Sequence, residues 1–385
     1  MRTIPIASAL LAAVTLGACS DQSPTAAAPP RTAPLHAAAA GHGIEGSYIV
    51  VVKEGADPRS VAATAGASPR YLYTAVLNGF AATLNQGQLN ALQHNPNVDF
   101  VEQDQVGGVT TTQSSAPWGL DRIDQASGTL SGTYTYTATG TGVRAYIIDS
   151  GIQANHPQFG TRAQNVWDYA GGSGADCNGH GTHVSGTVGG STYGVAKNVM
   201  LRGVRVVDCN GAGSTSTVIS AMDWVRLNHI KPAVANMSLG YPYSSAVNTA
   251  ATNMINAGIF TAVASGNENQ DACNVSPASA SGTLTVNAVD RYGARASFSN
   301  YGACTDVYAP GVNVLSAWLN SGTNTISGTS MASPHAAGVG ALYKSAFGDA
   351  ASSTIVTWII NNATPNAVTG NPANTPNRLL FKSTL

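Results

Sequence analysis

The sequence predicts an α/β protein in two parts: a large domain built on a mostly parallel central sheet with helices on both faces, and a small α+β domain ahead of it. Beyond Trp118, runs that are apolar throughout alternate with helical stretches of small residues. Strands of that kind are buried on both faces, as in parallel sheets covered by helices. Residues 48–103 carry a shorter strand–helix–strand–helix–strand pattern of their own. A length of 385 residues accommodates one large domain and one small one.

In chain order, Met1-Arg2 and the apolar stretch Ile4 to Leu16 read as an export signal, residues 1–19, and not as folded structure. It closes on Leu16-Gly17-Ala18-Cys19, which resembles a lipobox and makes Cys19 a lipidation candidate. Residues 20–45 are dominated by Ala, Pro, Thr and Ser, so they can bury no core and read as a disordered tether. The small domain, residues 46–105, has expected strands at Tyr48–Val52, Phe80–Leu84 and Val98–Gln103, with helices at Pro58–Ala65 and Gln86–Gln93. Two of the four glutamates, Glu54 and Glu102, fall in it, Glu45 sits at its border, and only Glu268 lies beyond. A Gly/Thr/Ser-rich linker, 106–115, follows and offers a natural cleavage site.

In the large domain, 116–385, the expected strands are Val143–Ile148, Val199–Val207, Ala233–Leu239, Ile259–Ala264 and Leu284–Val289. The expected helices are His180–Gly189, Thr215–Leu227, Ala246–Ala257, Ser330–Phe347 and Thr354–Asn361.

Charged residues make up 10% of the chain and the net charge is −1. Neither nucleic acid nor an anionic membrane surface has an electrostatic footing here, and no apolar run reaches the roughly 20 residues that span a bilayer. Four of the five cysteines lie beyond residue 170, which in an exported chain reads as paired disulfides; sequence alone permits three pairings.

Three stretches carry chemistry. Gly328-Thr329-Ser330-Met331-Ala332-Ser333-Pro334-His335 delivers a serine to the start of a helix, with Pro334 where the first turn would lie. Free backbone N–H groups there stabilise negative charge, as attack by a serine requires. An isolated Gly-Thr-Ser is ordinarily only an N-cap. Two partners change that. Ala145-Tyr146-Ile147-Ile148-Asp149 is an apolar strand ending in a carboxylate, and Asn178-Gly179-His180-Gly181-Thr182-His183 is a glycine-punctuated turn into a helix. A serine hydroxyl needs an adjacent base, an imidazole supplies one near neutrality, and a carboxylate fixes its tautomer. Ligand sites in parallel sheets lie at the carboxyl ends of strands, where Asp149 sits and which Asn267 closely follows. His180-x-x-His183 lacks a third metal-ligand pattern, so His183 reads as structural, and His335 as packed or hydrogen-bonded.

The order Asp149, His180, Ser330 is that of subtilisin among the known triads. With these motifs, over about residues 46–385, the chain resembles the subtilases, the subtilisin-like serine peptidases. Trp118-Gly119-Leu120-Asp121-Arg122-Ile123-Asp124-Gln125 and the cysteine pattern look like the proteinase K and aqualysin branch.

The resemblance implies a subtilisin-like three-layer fold and a self-processing, exported serine endopeptidase of broad specificity, a monomer acting on proteins and peptides. It implies that the small domain is an intramolecular chaperone and inhibitor, and that the mature chain starts near Thr111. Ala264-Ser265-Gly266-Asn267 matches the segment whose asparagine completes the oxyanion hole. Gly211-Ala212-Gly213 and Ser238-Leu239-Gly240 resemble the two edges that hold extended substrate, and Ser238–Gly240 with Ala264–Gly266 would wall a first specificity pocket for apolar or aromatic side chains. A narrow processing protease would show acidic pocket residues; none is evident in the sequence. The cysteine pattern implies Cys177–Cys209 and Cys273–Cys304, each closing a loop of about 30 residues worth roughly 3–4 kcal/mol in the chain-entropy model. No catalytic metal is implied. Structural calcium is, with Asp306 as carboxylate ligand and backbone oxygens near Ser281 and Thr283. A second site in some relatives uses residues like Asp121, Asp124 and Gln125, but Ser131-Gly132-Thr133 offers no later carboxylate.

Overall fold

The computed structural model describes residues 32–38, 43–107, 110–126 and 128–385. The export signal and Cys19 lie outside the described residues, as does most of the tether. Among the described residues no helix is long and apolar enough to cross a membrane.

The small domain is a five-stranded sheet in the order Leu35–His36, Val98–Gln105, Gly43–Val52, Gly79–Thr83, Tyr71–Tyr73. Its helices begin on side-chain caps. Asp57 accepts from the N–H groups of Arg59 and Ser60 ahead of Pro58–Thr64, and Asn85 with Gln88 closes a capping box on Gln86–Gln93. Val50, Phe80, Leu92 and Val101 are fully buried in a cluster drawn only from residues 33–101, so this unit has its own core.

Two boundaries differ from the sequence expectation. The tether does not run to residue 45: Ala33 is buried, Leu35–His36 pairs in parallel with Val101–Glu102, and the next strand begins at Gly43. The linker is also structured, because Thr111–Ser114 pairs antiparallel with Thr133–Tyr136. In both, the chain is held by main-chain bonds to a neighbouring strand, which side-chain composition does not reveal.

The large domain contains a nine-stranded sheet. Its order is Thr364–Pro365, Arg378–Leu379, Val307–Pro310, Leu284–Val289, Phe260–Ala264, Ala233–Met237, Arg144–Asp149, Met200–Arg205, Ala163–Asp168. Every neighbouring pair is parallel except the outermost, Thr364–Pro365 with Arg378–Leu379. Both faces are covered, as the apolar strands require. Ala145 and Ile147 point into a core shared with the helices His180–Gly189 and Thr329–Phe347. Tyr146 and Ile148 point the other way, into one shared with Thr215–Asn228 and Ser245–Asn256. The result is three layers, with the disulfides Cys177–Cys209 and Cys273–Cys304 formed.

Candidate active site

The strand Arg144–Asp149 delivers Asp149 at its carboxyl end, where the side chain is 3% exposed against 30% for His180. His180 is the first residue of its helix. Its Nδ1 lies 2.8 Å and 3.0 Å from the two Asp149 oxygens. Facing a carboxylate, Nδ1 is the nitrogen that carries the proton, and the neutral ring then keeps its free lone pair on Nε2. Burial disfavours the imidazolium, but the Asp149 charge and hydrogen bond, with a smaller contribution from Asp176, outweigh it. The His180 pKa is raised above its ordinary 6.5.

Ser330 is the second residue of Thr329–Phe347, in the first turn where N–H groups lack helical acceptors. The helix starts one residue earlier than expected, so Pro334 is its sixth residue and lies beyond the first turn. Its missing N–H deprives the Ser330 carbonyl of the usual i+4 donor. The Ser238 hydroxyl takes that place, donating to Ser330 O at 2.7 Å. Ser238 is held in turn by Asn236 Nδ2, and Asn236 accepts from Ser333 on the same helix. A buried chain thus ties the start of the serine helix to one proposed substrate edge. The Ser330 hydroxyl donates to the Ser238 carbonyl at 3.1 Å, and no hydrogen bond joins it to His180. A serine–base contact often tightens only with substrate bound.

Asn267 is aimed by its own acceptor. Its Oδ1 receives the Thr329 N–H at 2.8 Å and the Thr329 hydroxyl at 3.0 Å, which turns Nδ2 outward. A Cβ on Gly328 would lie 3.6 Å from Ser330 N and 3.7 Å from Asn267 Nδ2, so both nitrogens flank the same side of that glycine. A tetrahedral oxyanion needs donors of this kind beside the serine.

Two cavities meet at Leu239-Gly240-Tyr241. One, about 560 Å³, is lined by Asp149, His180, Gly211–Gly213 and Ser238–Gly240. A Cβ on Gly213 would lie 2.7 Å from the Val206 carbonyl oxygen, so only glycine leaves this edge flat. The other, about 460 Å³, is lined by Ala264, Gly266, Asn267 and Ser330. Ser265, expected in its wall, is instead fully buried and does not line it: its backbone N–H is held by the Val286 carbonyl and its carbonyl by Asn300 Nδ2. The expectation of a pocket without acidic residues is also corrected: Glu268 lines this cavity, with Oε2 accepting from Asn267 N and Asn300 Nδ2, each at 2.9 Å. Tyr241 lines both cavities and had no signal in the sequence.

His183 and His335 do not line the two cavities. His183 is fully buried, with Nε2 3.0 Å from the Val314 carbonyl, and burial lowers it to about 4. His335 is buried, bonded to the Met331 carbonyl, and likewise lowered to about 4 by burial.

Among the described residues no group of three or more His, Cys, Asp or Glu side chains could hold a metal ion. Asp306 stands at the head of a strand, its Oδ2 accepting the Thr285 N–H at 2.7 Å, and burial pushes its carboxyl up to about 6. The Thr283 hydroxyl donates to Ala280 O, and the Ser281 carbonyl accepts from Thr252. Asp121 and Asp124 are already satisfied by protein donors: Ser131 and Gly132 N–H on the first, Thr135 N–H and the buried Lys382 ammonium at 3.0 Å on the second.

Residues 140–379 match the Subtilase family, and residues 47–107 match Peptidase inhibitor I9. The chain is 47% identical to the Extracellular serine proteinase of Thermus sp. (strain Rt41A), over 97% of each protein. It is 43% identical to Proteinase R of Parengyodontium album, covering 90% of this chain and 91% of the relative. A solved cold adapted subtilisin-like serine proteinase superposes with a TM-score of 0.69 at 47% identity, over 70% of this chain and 99% of the other.

Proposed function

The chain belongs to the subtilase family, a subtilisin-like serine protease preceded by an inhibitor-type pro-domain, and from that premise we propose that Asp149, His180, Ser330 and Asn267 carry the reaction. Ser330 Oγ attacks the scissile carbonyl while His180 Nε2 takes its proton. Asp149 holds Nδ1–H and stabilises the imidazolium. Ser330 N–H and Asn267 Nδ2 receive the oxyanion. His180 then protonates the leaving amine, and a water activated by the same imidazole releases the acyl group. The observation that carries this reading is the Asp149–His180 pair lining one cavity while Ser330 and Asn267 line the cavity that adjoins it at Leu239-Gly240-Tyr241. Casein digestion by the purified protein, abolished when a serine-directed fluorophosphonate labels Ser330, supports it. Undiminished digestion by the labelled enzyme rejects it.

Substrate lies extended between Gly211–Gly213 and Ser238–Gly240, and the residue before the scissile bond enters the cavity under Ala264 and Gly266. Small walls favour apolar or aromatic side chains. Glu268 adds tolerance for a basic one, but a single carboxylate with one oxygen held by internal donors does not make a narrow processing protease. The names of the relatives support export. A lipid on Cys19 would hold only the precursor, since cleavage near Thr111 separates it from the mature domain. The enzyme works as a monomer.

Calcium is the ion we assign to Asp306. Its buried carboxylate, with the expected carbonyls of Ser281 and Thr283, would offer hard oxygens of the kind calcium takes, the Ser281 carbonyl sharing its lone pairs with the Thr252 hydroxyl, and a desolvated carboxylate is stabilised by a neighbouring cation. The ion's contribution would be structural. The second family site does not fit, because Lys382 already supplies the positive charge at Asp124. Chelation should therefore lower Tm before it affects chemistry, by mass action on the folded state. An unchanged Tm in excess EDTA, with Asp306→Ala equally silent, removes the ion from Asp306.

A further inference from the structure

The loop ahead of the histidine helix holds a carboxylate that the catalytic reading leaves without a role. Asp176 accepts five hydrogen bonds. Its Oδ1 receives the Ser150 hydroxyl, Asn178 N–H and Gly179 N–H, each at 2.9 Å. Its Oδ2 receives Thr182 N–H at 2.9 Å and the Thr182 hydroxyl at 2.6 Å. The helix His180–Gly189 starts on Gly179, which has no side chain to cap it. Asp176 therefore caps the helix from the loop, placing negative charge at its N-terminus.

The Ser150 hydroxyl makes this more than a cap. While donating to Asp176, it accepts Gly181 N–H at 2.9 Å. Ser150 directly follows Asp149, and Gly181 directly follows His180. The two segments also touch, since a Cβ on Gly181 would lie 2.2 Å from the Gly151 carbonyl oxygen. One carboxylate thus clamps the strand end that carries Asp149 to the helix start that carries His180. The neighbouring Cys177–Cys209 disulfide leaves the loop little room to drift.

We propose that Asp176 is a positioning residue for the catalytic pair: it fixes the Asp149–His180 geometry through Ser150 and the helix start, and adds a second negative charge beside the imidazole. This rests on the triad reading above. The charged and titratable groups around His180 are Asp149 on the strand, Asp176 in the loop, His183 one turn along and, facing Asp149 across the groove, Tyr241. Arg205 is turned aside, 3.3 Å from the Cys177 sulfur.

The test is steady-state kinetics across pH on Asp176→Asn and Ser150→Ala, each normalised to the fraction of enzyme that fluorophosphonate labels. Because an imidazolium cannot act as base and the His180 pKa is raised, the wild-type acid limb of kcat/KM should lie above the ordinary imidazole range. Asp176→Asn removes a negative charge, so the limb should move to lower pH, by roughly half a unit. Its kcat should fall about 10- to 100-fold with KM within about twofold. Ser150→Ala keeps the carboxylate and should lower kcat without moving the limb. A merely structural role would change Tm and leave the acid limb in place. Asp176→Asn with near wild-type kcat and an unmoved limb overturns the proposal. Should that variant fail to mature, Ser150→Ala within twofold of wild-type kcat overturns it instead. Failure of the triad reading looks different: Ser330→Ala would remain active.

Discussion

Ser330→Ala should abolish proteolysis and leave the chain as an uncut precursor. Without the hydroxyl the His180 base has nothing to activate, and only the oxyanion donors and substrate binding remain. In subtilisin, loss of the serine costs about 10⁶ in kcat, and the same scale is expected here. The enzyme is its own processor on this reading, so the same substitution should block cleavage near Thr111 in a protease-deficient host. Normal processing of the mutant there would assign the cut to another enzyme. Fractionation of the same pair tests the lipid on Cys19. Wild-type activity should be soluble and the Ser330→Ala precursor should pellet with membranes, since acyl chains contribute roughly 0.8 kcal/mol per buried CH₂. A soluble precursor with Cys19 intact would refute lipidation.

Asn267→Ala should lower kcat by about 10²–10³ while KM moves little, the scale found for the corresponding donor in subtilisin. Differential binding is the reason: Nδ2 meets an oxygen only once it carries negative charge, so substrate binding hardly registers the loss. Alanine also leaves the Thr329 N–H without its acceptor, so Tm has to be measured alongside. A variant within twofold of wild-type kcat takes Asn267 out of the oxyanion hole. A variant whose kcat loss tracks a collapse in Tm reports on Thr329 instead.

Much of the machinery was legible because its signals are local. An apolar run such as Ala145–Ile148 can only be buried on both faces, so it announces a covered parallel sheet before any contact is known. A serine entering a helix of small residues, a carboxylate closing a strand and a glycine-flanked histidine each advertise themselves within a few positions. Their order along the chain did the rest.

What only the tertiary structure decided concerns residues whose role comes from a distant partner. Ala163–Asp168 is a half-buried edge strand with a polar sequence, and Leu35–His36 a two-residue strand; each exists because a neighbouring strand offers main-chain partners. Glu268 stood out in the sequence only as the glutamate outside the small domain; its place in a cavity wall, accepting from Asn267 N and Asn300 Nδ2, depends on the packed loops. Tyr241 became a wall of two cavities only where those cavities adjoin. Asp176 sits in a loop with no local signal; five donors from the segments that carry Asp149 and His180 set it apart. Sequence pattern reports what a residue does for its own strand or helix, since periodicity is a property of one element. Hydrogen bonds between elements depend on register and crossing geometry, which the chain acquires only as those elements pack.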